Sequence, residues 1–78
     1  MTIKIFGPGC FKCQELVEKT EKALKDLGLN EIEVEKVSDI EKMTEAGIMG
    51  SPAIMIDEEI KAIGRVPDLE EIKDWLRQ

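Results

Sequence analysis

Ile3-Lys4-Ile5-Phe6-Gly7-Pro8-Gly9-Cys10-Phe11-Lys12-Cys13 leads an apolar run into two cysteines separated by two residues. Residues 2–6 alternate and are rich in isoleucine, which predicts a strand. Gly7-Pro8-Gly9 breaks that run and predicts a loop. Beyond it, Leu16, Val17, Thr20, Ala23, Leu24 and Leu27 recur at helical spacing, so a helix is predicted over about 11–27. The C-x-x-C pair therefore sits where a strand turns into a helix. At that point unpaired backbone N–H groups and the helix dipole favour a thiolate. A second thiol one turn away can resolve the mixed disulfide that such a thiolate forms. The pattern points to dithiol–disulfide exchange. Cys10 is the candidate nucleophile, Lys12 a modest surface aid in lowering its pKa, and Cys13, further in, the resolving thiol. Phe11 lies beside the nucleophile and reads as partner-contact surface.

Downstream the elements keep alternating. Gly28 is a natural residue to close the first helix, with Leu29 packing back on Leu24. Ile32, Val34 and Val37 predict a strand over about 31–37. Ser38-Asp39-Ile40-Glu41 has the form of a capping box, so a short helix is predicted to begin at Ser38 and end near Ala46-Gly47. Residues 53–56 and 60–63 are apolar runs separated by Asp57-Glu58-Glu59, which reads as a hairpin ended by Gly64 and Pro67. Asp68-Leu69-Glu70-Glu71 is a second capping box, and Leu69, Ile72 and Leu76 stripe the last helix. A strand–helix–strand start implies a parallel pair joined by a right-handed crossover, and the hairpin adds antiparallel strands. The expected architecture is α/β, in the order βαβαββα, with a four-stranded mixed sheet and helices on both faces.

Gly50-Ser51-Pro52-Ala53 is the second local signal. A proline directly before an apolar strand is tolerated at a strand start or edge. A cis Ser51–Pro52 bond would suit a tight turn there; a trans proline opening the strand is the alternative.

Bulk properties narrow the function. Seventy-eight residues make one small domain, taken as 1–78, and a hydrophobic fraction of 42% is enough for a globular chain. Two cysteines cannot build a disulfide framework. The N-terminus runs straight into a strand, without a signal peptide or a run long enough to span a bilayer, so no membrane partner and a cytoplasmic location are expected. Reducing conditions there favour a catalytic or metal-binding pair over a structural one. The net charge of −6 disfavours nucleic acid. A monomer is expected. Structural zinc wants four Cys or His ligands, and the chain has no histidine and no third cysteine. A soft-metal module holding Cu(I) or arsenite on two thiolates stays open as an alternative. So does a non-enzymatic interaction module whose cysteines sense redox state.

The strand, Gly7-Pro8-Gly9-Cys10-Phe11-Lys12-Cys13, the helix, and then Ser51-Pro52-Ala53 with its hairpin resemble the thioredoxin fold in its smaller, glutaredoxin-type form. The chain is similar to short archaeal and bacterial thioredoxin-like redox-active disulfide proteins. The resemblance implies that Cys10 attacks, that Cys13 resolves, and that Pro52 is a cis-proline packed against the disulfide. It implies that the Ser51 backbone pairs with a bound peptide by strand addition, and that Gly64 keeps the neighbouring surface open. It further implies reduction of protein disulfides without a cofactor, recharged by a thioredoxin-reductase-type flavoenzyme. There are departures. The Trp-Cys-Gly-Pro-Cys sequence is replaced by Gly9-Cys10-Phe11-Lys12-Cys13, and a count back from Cys10 puts Lys4 where thioredoxin keeps a buried carboxylate. Gly64-Arg65-Val66-Pro67-Asp68 preserves only part of the pattern by which glutaredoxins hold glutathione.

Overall fold

Ile3 and Ile5 turn to one side of a short strand and Phe6 to the other, and all three are buried, so the sheet must be covered on both faces. The structure, a computed structural model, describes residues 1–8, 11–48 and 50–77. The elements run β1 (Ile3–Phe6), α1 (Phe11–Asp26), β2 (Val34–Val37), α2 (Ile40–Glu45), β3 (Ala53–Ile56), β4 (Glu59–Ile63) and α3 (Leu69–Leu76). The sheet has four strands in the order β2-β1-β3-β4. β1 pairs in parallel with β2 and antiparallel with β3, and β3 pairs antiparallel with β4. Helices α1 and α3 pack on one face around Ile3, Ile5, Leu16, Leu24, Ile54 and Ile72. The shorter α2 side gathers Phe6, Val37, Ile48 and Ala53 on the other. Lys73 Nζ meets Asp26 Oδ2 at 3.1 Å and ties α3 to the end of α1. This is the expected α/β, thioredoxin-like arrangement. Among the described residues no helix is long and apolar enough to cross a membrane.

Three boundaries differ from the sequence expectation, each for a local reason. β2 starts at Val34, later than expected, because the close of α1 continues into a turn. Gly28 adopts φ +73°, Leu29 N–H donates to Leu24 O at 2.8 Å, and Ile32 N–H donates to Leu29 O at 3.3 Å. Ile32 thus reaches the core from a turn. Helix α2 begins at Ile40, and its cap is Asp39, whose Oδ1 accepts from Glu41 N–H at 2.9 Å; Ser38 lies one residue outside. The hairpin turn is only two residues, Asp57 and Glu58, with φ of +50° and +68°. Asp57 holds that conformation against the N-terminus: Thr2 N–H donates to Asp57 Oδ1 and Asp57 N–H donates to Thr2 O, both at 2.8 Å. Glu59 joins β4, and Lys61 is taken up as a bulge, since Ile54 pairs with Ala62 while Met55 pairs with Ile60.

Candidate active site around Cys13

Cys13 enters through the first turn of α1 and is only 4% exposed. Gly7 N–H donates to Val37 O at 2.9 Å, which carries the β1–β2 ladder one residue past Phe6 and brings Gly7 beneath that turn. A Cβ on Gly7 would overlap Cys13 Sγ, and it would lie 3.3 Å from Cys13 Cβ and 3.8 Å from Ser51 Cβ. The end of β1, the start of α1 and the segment leading into β3 therefore meet at Gly7. The sequence reading placed Gly7 in the loop that breaks the first strand. The structure uses its missing side chain to admit the chain's own cysteine.

The Ser51–Pro52 bond is cis, Pro52 is buried and Ser51 is exposed. Gly64, at φ +75°, donates its N–H to Pro52 O at 2.9 Å. A Cβ on Gly50 would stand 3.4 Å from Ile63 Cγ2 and 3.8 Å from Gly64 Cα. Ser51, Pro52 and Gly64 thus form one cluster, bordered by Ile63, which is 43% exposed. Phe11, 83% exposed, and Lys12 stand on the solvent side of the first turn of α1, outside that packing. Cys10 lies outside the described residues.

Two kinds of comparison bear on this arrangement. The family model described as "Thioredoxin domain" matches residues 1–77. The chain is 41% identical to a protein named "Thioredoxin" from Methanothermobacter thermautotrophicus over 76 residues, covering 97% of each chain. The chain belongs to the thioredoxin family. A second protein named "Thioredoxin", from Methanocaldococcus jannaschii, is 36% identical over 77 residues, covering 99% of this chain and 87% of that one. A "Probable Thioredoxin" from Methanothermobacter thermautotrophicus is 36% identical over 76 residues, covering 92% of this chain and 87% of its own. Membership supports a function of the thiol–disulfide oxidoreductase type, and the comparisons lend nothing to the soft-metal alternative.

Within this thioredoxin-family chain, two features were not anticipated. A groove of about 400 Å³ opens between α1 and the edge strand β2, and Cys13 forms part of its wall. Ile5, Gly7 and Val17 line its apolar part, while Glu18, Glu21 and Lys36 stand around it. Ile5, not Lys4, is thus the β1 side chain on the Cys13 side. Lys4 lines a separate depression with Phe6 and Met55, on the α2 face. The second feature concerns Arg65. Its Nη1 and Nη2 donate to Glu71 Oε1 and Oε2 at 3.2 and 3.0 Å, and Glu71 Oε1 also accepts from Asp68 N–H at 3.4 Å. Hydrogen bonding from Arg65 holds the Glu71 carboxyl below the usual carboxylate range, and the same bond raises Arg65. Arg65 is therefore engaged with the cap of α3.

Proposed function

We propose that the chain is a thiol–disulfide oxidoreductase that reduces protein disulfides, with Cys10 attacking and Cys13 resolving. Cys10 immediately precedes Phe11, the first residue of α1, where a helix N-terminus stabilises a thiolate. The thiolate attacks one sulfur of the substrate disulfide. A Cys10–substrate bond forms, the substrate S–S bond breaks, and one substrate sulfur leaves as a thiolate. Cys13, deprotonated, attacks the Cys10 sulfur; the intramolecular disulfide forms and the second substrate thiolate departs. Two electrons have passed from the dithiol to the substrate, whose two thiolates take up protons. A thioredoxin-reductase-type flavoenzyme returns the electrons.

The observation that carries this reading is the convergence of Cys13, Gly7 and Ser51, in a family whose model matches residues 1–77. The Ser51 backbone is the strand-adding edge for an extended peptide. Gly64 leaves that edge open, and Phe11 and Ile63 supply exposed apolar contact beside it. Lys12 adds positive charge at the first turn. The matched range supports one domain, and a protein of this kind would act in the cytoplasm. The test is reduction of insulin or a model disulfide with dithiol recycling. Activity in the wild type that is lost in Cys10→Ser supports the reading; equal inactivity of both refutes it.

A further inference from the structure

Gly7 stands at the end of β1 with its N–H held to Val37 O at 2.9 Å, so the β1–β2 ladder fixes its backbone. The glycines with positive φ are Gly28, Gly47 and Gly64, and Gly7 is not one of them. Its φ therefore makes no demand for glycine; the space beside it does. That space is filled by Cys13. A Cβ on Gly7 would overlap the sulfur and stand 3.3 Å from Cys13 Cβ. The next neighbour of that point is Ser51 Cβ at 3.8 Å, on the segment that enters the cis Ser51–Pro52 bond. Cys13 is 4% exposed, so packed chain rather than water surrounds it. Restoring ordinary contact, ~3.5 Å between heavy atoms, would displace the sulfur by roughly 1 Å. It would move either by turning about its own Cα–Cβ bond or together with the first turn of α1. Resolution is sensitive to a displacement of that size. The bond it forms is about 2.05 Å long and needs Cβ atoms about 3.5–4.5 Å apart. A reacting group misplaced by ~1 Å can cost about 10²-fold in rate. Attack by Cys10 makes no such demand on Cys13, because its partner comes from outside the chain.

We infer that Gly7 is a positioning residue for the resolving step: its missing side chain seats the Cys13 sulfur against the end of β1, in line for the Cys10 sulfur of the mixed disulfide. The inference rests on the dithiol mechanism proposed above. In that step the Cys13 thiolate forms a bond to the Cys10 sulfur and the Cys10–substrate bond breaks. Its electron pair leaves with the substrate thiolate, which takes up a proton from water. The alternative makes Gly7 a strand-ending glycine whose close contact serves stability alone. In that case Gly7→Ala weakens the fold and leaves the chemistry of the folded chain unchanged.

Stopped-flow reaction of the reduced full chain with an equimolar symmetric aromatic disulfide releases two coloured thiolates in turn. The first release reports attack by Cys10 and the second reports resolution by Cys13. Gly7→Ala is expected to slow the second release tenfold or more and to leave the first within threefold of wild type. Acid quenching between the phases, followed by mass spectrometry, is expected to show the mixed disulfide on Cys10 accumulating in Gly7→Ala. Ile72→Val loosens the core between α1 and α3, a cluster that does not include Cys13, and is expected to leave both releases within twofold. Each variant is also read in a Glu58→Gly background, changed only at the β3–β4 turn, so that a weakened fold does not silence the comparison. The inference is overturned if Gly7→Ala resolves within twofold of wild type, if it slows both releases equally, or if Ile72→Val slows the second as much. A wild type that releases no thiolate overturns the proposed function, and this inference with it.

Discussion

Gly7→Ala tests the close approach on which the site is built. The new Cβ would overlap Cys13 Sγ and lie 3.3 Å from its Cβ, so either the first turn of α1 shifts or the sulfur swings away. Overpacking of this kind costs about 1–3 kcal/mol. Cys13 is only 4% exposed, which leaves the sulfur little room to move and argues for the upper half of that range. Alanine at a position without positive φ recovers about 0.4–1 kcal/mol by restricting the unfolded chain, and Gly7 is not among the residues with positive φ. The net loss expected is about 1–2.5 kcal/mol, or a melting midpoint lower by roughly 5–15 °C for a chain of this size. Urea denaturation of wild type, Gly7→Ala, Cys13→Ala and the double variant forms a cycle that isolates the contact. In the Cys13→Ala background the penalty is expected to fall to near zero, because the remaining tight contact yields by a few tenths of an ångström. A Gly7→Ala protein as stable as wild type, or an equal penalty in both backgrounds, would refute the close approach.

Other perturbations follow from the same packing. Ile72 is fully buried where α3 meets the α1-side core. Ile72→Ala is therefore expected to cost about 2–5 kcal/mol in urea unfolding. Glu58 holds φ +68° in a two-residue turn with no glycine, so Glu58→Gly is expected to stabilise by about 0.5–1 kcal/mol, seen as a raised melting midpoint. The Glu71 carboxyl is held below its ordinary range in the folded state by Arg65. Its contribution is present above the unfolded carboxylate pKa and is lost as pH falls through the lower, folded one. Acid titration of stability should therefore show a shallower loss in Glu71→Gln than in wild type.

Much of the layout was legible because its signals are local. The period-2 run before Gly7, the helical spacing from Leu16 to Leu27, and Gly28 at the close of α1 each act within a few residues. The cap of α3 belongs with them, since Asp68 and Glu71 are one turn apart. What escaped depends on residues far apart in the chain. Asp57-Glu58 lacks the favoured turn residues and is supported by Thr2 at the other end of the sequence. Choosing Asp39 over Ser38 as a cap needs the backbone angles, because both residue types cap well. The bulge at Lys61 changes which β4 side chains face out, which hid Ile63 beside Gly50. Lys36 reads as an ordinary surface charge until the parallel pairing with Ile5 sets it against the groove. Lys4, counted into the place of the missing acid, turns to the other face of the sheet.

The proposed roles of the two cysteines are tested most directly by trapping. Cys13→Ser is incubated with a disulfide-bearing protein, and the product is digested and mapped by mass spectrometry. The expected result is a reductant-sensitive substrate adduct on Cys10 of Cys13→Ser, with far less adduct on Cys13 of Cys10→Ser. An adduct on neither chain, or equal capture by both, would contradict it.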